Sequence, residues 1–385
     1  MASRIVLFGA TGYTGRLAAA AMVERGLEPV LAARTQSKLD ELAAELGGKL
    51  ETRTADVSDP PSVAALVEHG DVLVTTVGPF VRWGGPAAAA ATPKRAHDLD
   101  STGEPSFNRE VFERYGAPAQ EAGIGMLTAM GYDWVPGNLA GALALDRAGD
   151  LATRVDVGYF ITGGGAKPSG GTAASLAGAI VAPAFGFRDG RVQTERGAKR
   201  VRSFPVRSKD LSGISVGSSE HFTLPRLAPR LREVNAYLGW FGPASRGMQA
   251  LSVATSAGMK VPGAEKLWKA ATDRFVQGST GGPDEAARAK SGSHIVAIAY
   301  DSAGRALNEV HLQGVDGYTF TGRMLAWGAE RAASGGLKST GALGPVDGFG
   351  LEELTRGVAE AGISEEGGPG SPGAQSMGRV GAGAR

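Results

Sequence analysis

The chain has 385 residues, 42% of them hydrophobic, with 40 Lys and Arg against 39 Asp and Glu. That length gives room for two or three domains, and the apolar content is enough for packed cores rather than a disordered chain. The near-neutral, interspersed charge lacks the footprint of a nucleic-acid binder. The absence of cysteine excludes disulfides, thiol catalysis and thiolate metal sites.

Arg4 to Phe8 is a short apolar, β-branched run, followed by Gly9-Ala10-Thr11-Gly12-Tyr13-Thr14-Gly15 and an alanine-rich stretch that Gly26 stops. This reads as strand, glycine loop, helix. Gly9 lets the chain turn off the strand, Gly12 lets backbone approach a phosphate, and Gly15 lets the helix pack closely on the sheet. The helix start offers free N–H groups to a pyrophosphate. Thr11, Tyr13 and Thr14 belong to the same cofactor-binding loop. Glu28 to Ala33 reads as the second strand, ending at Arg34, with Ser37 expected to cap a helix over 38–46. An acid at that strand end would bind a ribose hydroxyl, whereas an Arg accommodates the 2′-phosphate, so Arg34 points to NADP.

Glu51 to Ala55 is a third strand, and Asp56 beyond it is placed to accept from the adenine amino group. Val72 to Val77 is a continuous apolar run, the pattern of a central parallel strand. It stops at Gly78-Pro79-Phe80, so Val77, Gly78, Pro79 and Phe80 are expected beside the cofactor ribose and nicotinamide. Helix 85–91, strand 98–100, helix 109–120 and strand 126–129 follow. Strands alternating with helices at this spacing mean a doubly wound parallel sheet, whose ligands lie outside the carboxyl ends of the strands. That rule makes Asp100, Glu104, Tyr132 and Asp133 neighbours of the cofactor.

After a helix over 138–148 the pattern changes. Arg154 to Ile161 alternates with period two, a half-exposed strand. Gly170-Gly171-Thr172 opens an apolar helical stretch. Residues 215–224 and 234–240 read as strands, and 294–300 and 307–312 flank a hairpin turn at Asp301-Ser302-Ala303-Gly304. Helices are expected over 244–259, 264–276, 318–333 and 349–361. The organisation expected is α/β: a dinucleotide-binding domain over 1–137, an inserted α+β domain on a mostly antiparallel sheet over 138–335, a returning segment over 336–363, and a disordered Gly- and Pro-rich tail over 364–385.

His69, His97, His221, His294 and His311 are scattered without metal-ligand spacing, and no metal is expected. No signal peptide is visible, and the longest mostly apolar stretch, Ala173 to Phe187, contains Pro183 and is short for a bilayer span. A cytoplasmic protein is the expectation. That stretch and Trp240-Phe241 leave room for peripheral membrane contact with a lipid substrate.

Together the motifs G-A-T-G-Y-T-G, V-G-P-F (77–80), D-S-T-G-E (100–104), G-Y-D-W-V-P-G-N-L (131–139), S-G-G-T-A-A-S (169–175), G-V-D-G-Y-T-F-T (314–321) and G-A-L-G-P-V-D-G-F-G-L (341–351) resemble the saccharopine dehydrogenase-like oxidoreductases. The resemblance spans nearly all the chain except the tail. It implies an NADP-binding Rossmann domain, an inserted substrate domain and a C-terminal segment returning to the first domain. No arginine cluster is plainly suited to the two carboxylates of saccharopine, and Asn138 stands where an acid is frequent in the family. The family also includes trans-acting enoyl reductases of actinobacterial polyketide lipids.

The expected function is hydride transfer from NADPH to a C=C or C=N bond of a small organic or acyl substrate, with NADP as cofactor and a homodimer as one assembly to test. The alternative is an NADP-binding redox sensor without turnover. Tyr132 and Asp133 are the candidate catalytic residues, because the sixth-strand loop faces the nicotinamide. Asp133 as a simple turn cap is the competing reading. Asp100 and Glu104 read better as acids that hold loop backbone, and His221 as an ordinary histidine.

Overall fold

The structure, a computed structural model, describes residues 3–163, 184–258 and 281–367. Short aliphatic runs without polar interruption form strands buried on both faces. These are β1 (Ile5–Phe8), β2 (Val30–Ala33) and β4 (Val72–Thr75); β3 (Thr52–Thr54), polar and partly exposed at the sheet's edge, β5 (His97–Asp100), with two buried aspartates, and β6 (Gly125–Leu127) complete the set. They pair in parallel in the order β6-β5-β4-β1-β2-β3. The strand order reverses between β1 and β4, so the switch-point crevice opens beyond Phe8 and Thr75. Helix Tyr13–Glu24 follows the glycine loop and ends at Gly26, which takes the left-handed φ of +75°. The second helix starts earlier than expected: it spans Gln36–Glu45 with Thr35, not Ser37, at the cap position. The expected helix over 109–120 begins at Pro105, whose fixed φ suits a first turn, and continues through a wider turn at Val111–Tyr115 to Ala122.

Helix Val135–Ala148 leads to the second sheet, built from β7 (Arg154–Gly163), β8 (Ala184–Arg188), β9 (Arg191–Glu195), β10 (Val201–Val206), β11 (Lys209–Val216), β12 (Glu233–Leu238), β13 (Ser291–Tyr300) and β14 (Ala306–Gly314). Every pair is antiparallel except β12 with β7. β7 is not half-exposed. It is a central strand between β12 and β13, and residues 155–160 are buried: Val155, Val157 and Tyr159 face the core shared with the first domain, Phe160 packs with Phe204 and Tyr237 on the other face, and Asp156 accepts from Asn235 at 2.6 Å. The expected strand over 215–224 stops at Val216. Gly217-Ser218-Ser219 interrupts it, and Glu220–Leu227 is a helix with Ser219 at its cap position. Of the apolar stretch Ala173 to Phe187, the described part is β8, where Phe185 and Phe187 are buried. Among the described residues no helix is long and apolar enough to cross a membrane.

The chain then returns. Helix Gly317–Ala333, which the expected boundary at 335 assigns to the second domain, packs along Tyr13–Glu24 of the first. Its Gly322 faces the backbone of Leu17, with room for no larger residue. β15 (Gly341–Leu343) pairs in parallel with β6 and completes a seven-stranded sheet. β16 (Ile363–Glu365) then joins the second sheet beside β14. Ser364 and Glu365 therefore belong to a strand, not to the expected tail, and Glu365 pairs with Arg147 at 2.6 and 2.8 Å. The Gly170-Gly171-Thr172 helix start, the 169–175 motif, the helix over 264–276 and residues 368–385 lie outside the described residues. One continuous core joins one face of the first sheet, helices Val135–Ala148 and Gly317–Ala333, and the facing side of the second sheet. It fixes the edge of the first sheet against the second domain.

Candidate active site

The glycine loop sits at the switch point. Gly9 has a φ of +92°, and a Cβ there would meet Thr76 Oγ1 at 2.7 Å, so only glycine turns the chain this tightly. A Cβ on Gly15 would collide with the carbonyl oxygen of Gly9, so the helix rests directly on the loop. Gly12 differs: a Cβ there would meet only Gly9 O, at 3.2 Å. The space over Gly12 is open, and the first N–H groups of the helix point into it. The donor set and the open cradle fit a dinucleotide pyrophosphate. Thr11 and Thr14 are half-buried on the rim. Tyr13 turns its hydroxyl to the second domain, donating to Pro283 O at 2.5 Å and accepting from Arg288 at 3.1 Å. Its ring meets Tyr318 edge-on at 5.2 Å.

Arg34 is exposed just beyond β2, and Asp56 follows β3. Hydrogen bonds from the Ser58 N–H and hydroxyl hold the Asp56 carboxyl below its ordinary range, and the Arg34 charge adds to this. The loop after β4 lies against the glycine loop, with Val77 next to Gly9. Gly78–Pro79 is a cis peptide. The Phe80 ring is buried against Phe107, with centroids 5.6 Å apart, so Phe80 offers the crevice backbone rather than a side chain. Glu104 accepts from the N–H groups of Phe80 and Val81 at 2.9 and 3.0 Å. Asp100 accepts from Thr102 and Ala129 N–H at 2.8 and 2.9 Å. Both acids hold loop backbone. Burial raises the Asp100 carboxyl to about 6.

The loop after β6 carries Tyr132 and Asp133 to the domain boundary. Tyr132 is buried; its N–H donates to Thr321 Oγ1 at 3.0 Å and its hydroxyl to Phe160 O at 3.3 Å. Asp133 packs against Gly103 of the loop after β5, where a Cβ would lie 2.7 Å from Asp133 Oδ2. Its Oδ1 is buried without a hydrogen-bond partner among the described residues. Across the boundary, the Tyr159 hydroxyl of β7 shares its one proton between Glu220 Oε1, at 2.5 Å, and Trp134 O, at 3.1 Å, while Glu220 Oε2 is buried and unpartnered among the described residues. Gly137 has no side chain where Tyr159 and Glu220 meet. Burial, and then the charge of Glu220, raises the Asp133 carboxyl to about 7. Burial raises Glu220 to about 7 as well, against the hydrogen bond from Tyr159. The rings of Tyr132, Trp134 and Tyr159 pack together beside these buried carboxyls, and two acids that feel each other's charge resist double ionisation.

Glu220 escaped the sequence reading because 215–224 reads as a strand, and Tyr159 because Arg154 to Ile161 reads as a half-exposed one; the pair Ser218-Ser219 ahead of an acid is the helix-start signal that would have found Glu220. His221 is fully buried, bonded to Ser218, and pushed down to about 4 by burial, an ordinary core histidine. Asn138 bonds Trp134 O and Ser219 Oγ, both at 2.9 Å, and so ties helix Val135–Ala148 to the helix that carries Glu220.

A family model described as NAD(P)H-binding matches residues 9–111. A Mycobacterium tuberculosis protein provisionally named as a trans-acting enoyl reductase is 36% identical over 182 residues, 45% of this chain and 43% of the relative. A trans-acting enoyl reductase of Mycobacterium leprae is 35% identical over 140 residues, 35% of this chain and 34% of the relative. The matches thus span less than half the length of these relatives. Apo saccharopine dehydrogenase (L-Glu forming) from Saccharomyces cerevisiae superposes with a TM-score of 0.58 at 12% identity, covering 94% of this chain and 99% of that one. Homospermidine synthase from Legionella pneumophila, solved with NAD, gives 0.59 at 10% identity, covering 94% and 91%. The chain thus shares the fold of saccharopine dehydrogenase and homospermidine synthase, and residues 9–111 of its first domain match an NAD(P)H-binding family.

Proposed function

We propose that the chain is an NADPH-dependent oxidoreductase that reduces the C=C bond of an α,β-unsaturated acyl substrate. The observation that carries this reading is the Asp133–Glu220 pair, buried where the carboxyl edge of a dinucleotide-binding sheet meets a second domain. The names of the enoyl reductase relatives favour C=C over C=N. Gly9 to Gly15 would hold the pyrophosphate, Arg34 the 2′-phosphate, Asp56 the adenine amino group, and the backbone of Val77 and Gly78 the ribose side of the nicotinamide. When bound, the nicotinamide cofactor supplies the hydride. The chain's own groups do the rest. Protonated Asp133 donates the proton to the carbon next to the acyl carbonyl as the β-carbon receives the hydride. Glu220, held by Tyr159, keeps Asp133 protonated near pH 7 by its charge. Tyr132, Trp134 and Tyr159 wall the space with rings and keep water out.

Two measurements on the same protein test this. Fluorescence titration with NADPH and NADH is expected to favour NADPH, and Arg34→Ala is expected to lose that preference; equal affinities in the unaltered protein would refute the cofactor assignment. NADPH oxidation with a panel of unsaturated acyl thioesters and cyclic imines is expected to respond to the thioesters. Tight binding with no turnover on any member would favour a redox sensor instead.

A further inference from the structure

His294 and His311 stand seventeen positions apart in the sequence, with no spacing that suggests a shared ligand. The β13–β14 hairpin removes that distance. His311 sits opposite Val296 in the pairing, two residues along from His294, and both side chains lie on the face of the second sheet turned away from the first domain. His294 Nε2 and His311 Nδ1 are 2.9 Å apart, with the rings at 74°. β16 brings in a third group. The Glu366 N–H donates to His311 O at 2.9 Å, and a Glu366 carboxylate oxygen lies with the two ring nitrogens inside 4.8 Å. Behind this set, Glu309 Oε1 accepts from His311 Nε2 at 2.7 Å, which leaves the Nδ1 lone pair facing His294 and Glu366.

We propose that His294, His311 and Glu366 form a binding site for a divalent transition-metal ion of the Zn²⁺ type, a site independent of the reductase reading. Two imidazoles and one carboxylate are a recurrent donor set for this ion. Ring nitrogens at bonding distance from a tetrahedral ion lie about 3.3 Å apart, so the pair has to open by only a few tenths of an ångström. The Glu309–His311 hydrogen bond is the outer carboxylate that fixes ring orientation in such sites. His294 is fully buried while Glu366 is exposed, so the ion enters from the Glu366 side and water completes its shell there. The charge of Arg207 also reaches His294. The ion would clip β16 to the β13–β14 hairpin.

The test uses the full-length protein without a histidine tag, stripped with chelator. Zn²⁺ titrated against a chromophoric chelator is expected to bind at one ion per chain and to raise the melting temperature. Co²⁺ is expected to give the visible absorption of a tetrahedral centre. Glu366→Gln, a surface change that leaves the strands intact, is expected to lose most of the affinity. Glu309→Gln is expected to lose about 10- to 100-fold, the usual cost of removing an outer partner. Failure of the unaltered protein to bind Zn²⁺ at micromolar concentration would overturn the proposal. Full affinity retained in both Glu366→Gln and His311→Ala would overturn it too, by placing the ion elsewhere.

Discussion

Asp133 gains its interest from what surrounds it: an enclosed carboxylate oxygen without a partner among the described residues and a second acid across the domain boundary. Asp133→Asn keeps the shape and removes the proton. Turnover is expected to fall about 10²- to 10⁴-fold, the usual contribution of a positioned acid, with NADPH affinity unchanged. Glu220→Gln acts differently. It removes the charge that helps hold Asp133 up at about 7, so the pH above which kcat/KM declines is expected to move down. A pH profile of each variant separates donor from neighbour; an unmoved profile in Glu220→Gln would mean the two acids do not communicate. The placement of Tyr132 and Asp133 was legible in the sequence because they follow a recognisable strand at the sheet's carboxyl edge. Glu220 was not, because its relevance comes from Tyr159 and Asp133, which lie far from it in sequence and reach it only through the tertiary fold.

The strand–loop–helix unit at the start of the chain was legible because its pattern is local, although the residues that crowd Gly9, Thr76 and Val77, come from the loop after β4. It also yields a contrast between two substitutions of the same kind. Gly12 has ordinary extended angles, φ −74° and ψ 166°, and open space above it. Gly12→Val is therefore expected to keep the melting temperature and lose cofactor binding. Gly15→Ala puts a methyl group into the Gly9 carbonyl, so it is expected to cost about 1–3 kcal/mol of stability and cofactor binding together. Thermal melts and NADPH titration on the two variants check the pair. The elements that were misread are those decided by distant partners. β7 looked half-exposed because its alternation is real, yet the first-domain core covers one face and the Phe204 and Tyr237 cluster the other. The helix Glu220–Leu227 looked like strand because its apolar and β-branched residues outweigh its short cap signal, and contact with helix Val135–Ala148 decides its form.

At the scale of the molecule, Asp133 belongs to the first domain and Glu220 to the second, so their ionisation bears on how the domains hold together. Their folded values near 7 lie above the ordinary 3.8 and 4.5. Between those limits the folded state keeps protons that the unfolded chain has released, so stability falls as pH rises from about 4 through 7. Below the unfolded values the stabilisation is fully present. The combined variant Asp133→Asn, Glu220→Gln is expected to flatten this slope in denaturant titrations across pH 5 to 8. An unchanged slope would assign it to other groups, with buried Asp98 and Asp100 the first to examine.

The pairing of β15 with β6 has a further consequence, for the order in which the protein is made. A ribosome releases β1 through β6 early, but β6 waits for its outer neighbour until Gly341–Leu343 emerges, roughly two hundred residues later. Through that interval the nascent first domain exposes an unpaired parallel edge, the kind of surface that joins other chains. Helix Gly317–Ala333, which covers Tyr13–Glu24, arrives equally late. The cofactor cradle can be shaped soon after synthesis begins, yet it is enclosed only near the end. Newly made chains halted before Gly341 would be sticky, and the burden on chaperones falls in that window.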